Sequence, residues 1–109
     1  MIPFNLLSKI PAPLDKELFQ TLLKTPRIRV ERIISPPGTR SQEFAQQQDE
    51  WVVLIQGNAR LDLDGETLDL QLADSLFIAA GTPHQVLDTS ADPPCIWLAI
   101  HIFEEEHSG

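Results

Sequence analysis

The feature that most constrains the fold is a succession of short apolar segments separated by turn residues. Segment 59–70 alternates leucines with polar residues around Asp64-Gly65, and the apolar run 50–56 ends at a second turn. Both are hairpin signals, because such turns suit the twist of antiparallel strands. Seven or eight short strands at turn spacings of about ten residues favour an all-β sandwich, jelly roll or small barrel. The remaining segments of this kind are 27–35, 75–79, 84–89 and 95–103.

One segment before these strands has a helical pattern instead. Asp15 can cap a helix there and Pro26 ends it, since proline lacks the backbone donor that a helix needs. The sequence therefore predicts one N-terminal helix at about 15–24. The apolar residues that recur at helical spacing are Leu14, Leu18, Phe19, Leu22 and Leu23.

Composition narrows the class of protein. The chain has 109 residues and a formal net charge of −8, which favours a single domain and argues against nucleic acid or an anionic membrane as partner. Cys95 is the single cysteine, so no internal disulfide can form and a reducing compartment is expected. Residues 1–13 have no basic stretch and no long apolar core. We therefore expect a cytoplasmic protein.

Two polar residues stand at the ends of apolar strands. His84 follows the turn 81–83 directly, and Glu50 opens the longest apolar run. A buried histidine needs a partner for at least one ring nitrogen, because an unpaired polar group in a core is costly. Inside a barrel, the two strand ends can bring these side chains together. A carboxylate oxygen and an imidazole nitrogen suit a divalent iron, manganese, nickel or zinc ion, and the sequence does not distinguish among them.

Two donors hold a metal weakly, so further ligands are required. In segment 95–103 the alternation places His101 on one face with Trp97 and the small Ala99, as in a pocket wall. His101 is therefore a candidate third ligand. The amide oxygens of Gln46 and Gln48, just upstream of Glu50, are further candidates.

Two motifs resemble those of the cupin family. Segment 50–57 is similar to the end of the first cupin motif, a glutamate followed after six residues by a glycine. Segment 73–84 is similar to the second motif, which ends in a histidine. The resemblance implies an all-β, cupin-type double-stranded β-helix or jelly-roll barrel at 28–103, after an N-terminal extension at 1–27 and before an acidic tail at 104–109. It also implies a homodimer formed through exposed sheet edges such as 27–34.

The first motif departs from the family pattern. Its two histidine positions are occupied by Phe44 and Gln46, so the usual site of three histidines and one glutamate cannot form. By resemblance, Glu50 and His84 remain metal-ligand positions and Gln46 is a weakened one. Together with His101, which lies outside both motifs, they form the predicted metal site.

Two classes of function remain open. The first is a metal-dependent enzyme acting on a small molecule, with open metal positions for the substrate. The second is a metal-free cupin that binds a small ligand as a sensor or accessory protein. Candidate ligand contacts in either class are Gln48, Trp97 and Arg32. For Arg32 a bulge that returns the guanidinium to solvent is an alternative, and the tryptophans can serve packing alone.

Overall fold

All regular elements in residues 1–104, which the computed structural model describes, are β-strands. They form a five-stranded sheet in the order β1-β2-β8-β3-β6 and a three-stranded sheet in the order β5-β4-β7, with antiparallel pairing throughout. This confirms the predicted all-β class. The strands are β1 (Leu18–Lys24), β2 (Ile28–Ser35), β3 (Asp49–Gln56), β4 (Ala59–Leu63), β5 (Glu66–Leu70), β6 (Ser75–Ile78), β7 (His84–Thr89) and β8 (Cys95–Ile102).

The predicted N-terminal helix is wrong. Its residues form β1, which pairs with β2 from Leu18 opposite Ile34 to Lys24 opposite Arg29. The free edge of β2 offers a row of backbone donors and acceptors, and pairing with it satisfies them. An irregularity between Thr21 and Leu23 interrupts the strand alternation, which explains why the leucines mimic helical spacing. Residues 1–104 include no helix long and apolar enough to cross a bilayer.

The core lies between the two sheets. In β3 the inward residues Val52 and Leu54 are buried while Trp51, which precedes them, points outward and is exposed, as the two-residue period of a strand requires. Each sheet thus presents one apolar face to the other. The buried core residues are Val52, Leu54, Ala59, Leu61, Leu70, Ile78, Cys95, Trp97 and Ala99.

The N-terminal segment is held against the outer face of the larger sheet by Arg32. This side chain is 1% exposed. Its guanidinium donates to the carbonyl oxygens of Leu6 at 3.0 Å and Ser8 at 2.6 Å, and to Gln20 Oε1 at 2.7 Å. The Phe4 ring lies 5.0 Å from its central carbon. Arg32 therefore points neither into the barrel nor into solvent, and the position predicted for it as a ligand contact is wrong.

Candidate ligand-binding site

A cavity of about 90 Å³ opens between the sheets at one end of the barrel. This is room for several water molecules or one small ligand. Aromatic side chains of Phe19, Phe44 and Trp97 form part of its wall. Its polar lining residues are Glu17, Glu31, Gln46, Glu50, His84 and His101.

Glu50 enters the cavity from the start of β3. Its backbone lies opposite His101 of β8 on one side and Ile78 of β6 on the other, so its side chain shares the inner face with theirs. The residue is 6% exposed. Oε1 accepts a hydrogen bond from Gln46 Nε2. Glu50 and Gln46, predicted as neighbours in one site, are thus in contact.

His84 enters from the start of β7. A pair of backbone hydrogen bonds with Phe44, of 2.8 and 2.9 Å, fixes its main chain. Its Nδ1 lies 3.0 Å from the Thr82 carbonyl oxygen; because a carbonyl only accepts, Nδ1 carries the proton. In the neutral ring Nε2 is then an acceptor. Its neighbour is Glu50 Oε1 at 4.0 Å, too far for a hydrogen bond, and no partner for it is found in residues 1–104.

His101 also faces the cavity, but both of its ring nitrogens are engaged. Nε2 lies 2.7 Å from Glu31 Oε1, and Nδ1 lies 3.1 Å from Gln48 Nε2. The carboxylate fixes the proton on Nε2, so Nδ1 accepts from the amide. Gln48, predicted as a ligand contact, therefore serves to orient His101. The polar residues form two clusters, Gln46–Glu50–His84 and Gln48–His101–Glu31, rather than one.

A divalent metal does not fit this arrangement. Within the described chain no group of three or more His, Cys, Asp or Glu side chains has metal-binding geometry. Metal–ligand bonds of about 2.0–2.2 Å to Glu50 Oε1 and His84 Nε2, 4.0 Å apart, require an angle at the metal of roughly 130° or more, against about 109° for tetrahedral zinc. The third predicted nitrogen, on His101, is already used.

Two carboxylates in the cavity were not predicted from the sequence. Glu31 lies on the inner face of β2 with Ile33, and Arg32 points to the opposite face. Strand alternation in the sequence could have identified Glu31 as a residue facing away from Arg32. Glu17 precedes β1, inside the segment predicted as a helix, so no sequence signal placed it here. It accepts a hydrogen bond from Ser35 Oγ at 2.8 Å, and Ser35 Oγ in turn accepts from Trp97 Nε1 at 3.0 Å. The ring of Trp97 lines the cavity, and its contact with a ligand stays a prediction.

Comparison with known proteins gives matches of two kinds. A cupin-domain family model matches residues 32–101. The chain is 31% identical to a Ralstonia eutropha protein of known structure, assigned provisionally as a mannose-6-phosphate isomerase. That match covers 94% of this chain and 99% of the other, with a TM-score of 0.87. No curated protein matches the sequence.

More distant structures share the fold alone. A cupin superfamily protein from Desulfitobacterium hafniense is 21% identical, with 87% and 84% of the two chains covered and a TM-score of 0.77. A salicylate 1,2-dioxygenase mutant from Pseudoaminobacter salicylatoxidans is 12% identical over 83% of this chain and 27% of that one, with a TM-score of 0.73. Residues 32–101, which the family model matches, contain both motifs and all strands from β3 to β7. The match over more than half of the chain, together with the 31% identical structure, shows that this chain belongs to the cupin family.

Proposed function

We propose that this cupin binds a small polar molecule in its cavity without a metal ion, through Glu50 and His84. The supporting observation is the 4.0 Å gap between Glu50 Oε1 and His84 Nε2. Both residues are more than nine-tenths buried. Glu50 Oε1 already accepts from Gln46, whereas His84 Nε2 has no hydrogen-bond donor in residues 1–104. A ligand atom that donates to both across the gap would supply a donor to His84 and a second one to Glu50. The metal-free cupin is thus favoured over the metal-dependent enzyme, whose ion would need ligands that are not assembled.

The substrates named for related structures do not suit this cavity. Mannose 6-phosphate and salicylate are anions, whereas the lining contains the three carboxylates of Glu17, Glu31 and Glu50 and, among the described residues, neither lysine nor arginine. An anion entering a largely desolvated site would be repelled by these groups. We therefore propose that this chain does not share those substrates.

Metal analysis tests the proposal. Untagged protein, incubated with iron(II), manganese(II), nickel(II) or zinc(II) and then desalted, is expected to retain far less than one ion per chain by plasma mass spectrometry. Its thermal unfolding is expected to be unchanged by chelator, because nothing that stabilises the folded state is removed. His84→Ala is the matched variant. About one ion per chain in the parent protein, absent from His84→Ala, would establish instead the divalent metal site predicted from the family resemblance.

The exposed edge predicted for a homodimer, segment 27–34, is wrong, because its strand β2 is paired with β1 on one side and with β8 on the other. We propose instead that the protein forms a homodimer through the outer face of its larger sheet. One residue from each strand forms a continuous apolar row across this face, each opposite the next, in the order Leu23, Val30, Ile100, Trp51 and Phe77. Three of the five are exposed. Two copies of a chain with a net charge of −8 repel each other. The row contains no charged residue, so contact through it does not bring like charges together. A flat apolar patch of this kind can pair with its own copy about a two-fold axis.

The oligomeric state can be measured by size-exclusion chromatography with light scattering. The parent protein is expected to elute as a dimer and Trp51→Glu, which places a charge on an exposed residue of the row, as a monomer. Leu72→Glu is the matched control, because Leu72 is also exposed but lies in a turn outside the row. A monomeric parent protein, or a Trp51→Glu dimer, contradicts this interface.

A further inference from the structure

We infer that the ligand of this cavity carries a protonated amine, which donates to both Glu50 and His84. The inference rests on the proposed metal-free function and adds the chemical class of the ligand. It follows from counting donors and acceptors around the gap, from the charges that line the cavity, and from its aromatic wall.

The gap presents acceptors on both sides. A carboxylate only accepts, and His84 Nε2 accepts because Nδ1 carries the proton that is directed at Thr82. A ligand hydroxyl has one proton and can satisfy one of the two. An ammonium group has three, and hydrogen bonds of about 2.8–2.9 Å to both acceptors span their 4.0 Å separation with an angle of roughly 90° at nitrogen. A primary ammonium therefore fits both in number of donors and in distance.

The charge balance of the cavity also calls for a cation. Glu50 is buried, and the Gln46 amide that donates to it is neutral. Glu17 is similarly paired with a neutral group, the Ser35 hydroxyl. Glu31 has a cation beside it, since Arg29 Nε lies 4.0 Å from its Oε2. The described lining supplies no lysine or arginine for Glu50 and Glu17. Because a carboxylate removed from water is stabilised by a cation, a positively charged ligand suits these two residues.

The apolar part of the wall suits the rest of such a ligand. The Phe44 ring centroid lies 5.8 Å from that of His84, and Phe19 and Trp97 complete an aromatic surface around the polar groups. Aromatic faces attract cations, and they also pack against a short hydrocarbon chain. With about 90 Å³ available, the amine carries a small aliphatic group.

Three probes of the same shape and different charge test the ligand class: isobutylamine, isobutanol and isobutyrate. Each is titrated at pH 7 into ¹⁵N-labelled full-length protein with chelator present, and the amide signals of cavity residues are followed. The amine is expected to give saturable shifts and to bind about 10- to 100-fold more tightly than the alcohol, the difference made by hydrogen bonds to a charged group. Isobutyrate is expected to give none.

The variant Glu50→Gln keeps the side-chain shape and is expected to remove the preference for the amine. Glu43→Gln is the matched control, since it removes one exposed carboxylate outside the cavity and is expected to leave the preference intact. Equal affinities for amine and alcohol, unaltered amine binding in Glu50→Gln, or no shift with the amine each overturn the inference. The three probes are compared on the parent protein, so this comparison stands even if Glu50→Gln fails to fold. Metal content separately decides the proposed function, so binding of the alcohol alone would refute the ligand class and leave a metal-free binding cavity.

Discussion

Replacement of Gly57 by alanine is expected to lower the free energy of unfolding by about 2–5 kcal/mol. Gly57 has φ of +85°, where a side chain is strained. An added Cβ would also lie 2.6 Å from Ser90 Oγ and 3.1 Å from the Cα of Cys95. Neither neighbour moves freely, because the Ser90 hydroxyl accepts from Asn58 and donates to Pro93 and the other atom is backbone.

Gly65 provides the matched control for this substitution. Its φ of +87° is nearly the same, and an added Cβ would meet nothing within 4 Å. Gly65→Ala is therefore expected to cost only the backbone strain, about 1–2 kcal/mol, in urea unfolding. The difference in free energy of unfolding between the two variants, about 1–3 kcal/mol, measures the steric cost of placing a Cβ against Ser90 and Cys95. Equal losses would mean that this contact does not constrain the turn.

The same contact gives a physical reason for the glycine that ends the first cupin motif. The sequence placed Gly57 by its spacing from Glu50, and the family and the all-β class followed from such spacings. These predictions depend on local turn chemistry and strand alternation, which a single sequence records directly. They required no knowledge of which segments pair.

The N-terminal segment shows where local reasoning ends. Its leucines fit a helix as well as an interrupted strand. The segment becomes a strand because it pairs with the free edge of β2, and the local sequence pattern does not record that pairing. Tertiary pairing of this kind overrides local propensity. Because the segment forms β1, it also brings Glu17 and Phe19 to the cavity. Under the helical interpretation neither residue was predicted to line it.

The two faces of β2 show a second limit. Strand alternation places Arg32 and Ile34 on one face of β2 and Glu31 on the other, but it does not state which face is internal. Both faces are buried at that point, since the N-terminal segment covers the outer one through its contacts with Arg32. The sequence analysis considered Arg32 for the cavity, with return to solvent as the alternative, whereas the structure places Glu31 there. This exchange reverses the sign of charge expected of the ligand.

The second large effect concerns the two cavity histidines, which are expected to hold their protons on opposite nitrogens. In His84 the Thr82 carbonyl fixes the proton on Nδ1, and in His101 the carboxylate of Glu31 fixes it on Nε2. At each ring nitrogen the proton is either present or absent, so the expected difference between the two histidines is large. Glu31→Gln serves as the control, because it alters the partner of His101 and leaves that of His84, a backbone group, in place.

Long-range ¹H–¹⁵N correlation spectra of the histidine rings, recorded on metal-free protein at neutral pH, report which ring nitrogen of each histidine carries the proton. We expect a protonated Nδ1 and an unprotonated Nε2 for His84, the reverse for His101, and a shift of the His84 Nε2 signal when isobutylamine is added. In Glu31→Gln the His84 pattern should stay the same. A His84 ring protonated on Nε2, or on both nitrogens, would contradict the account, because the gap beside Glu50 would then contain a donor and have no need of a cationic ligand.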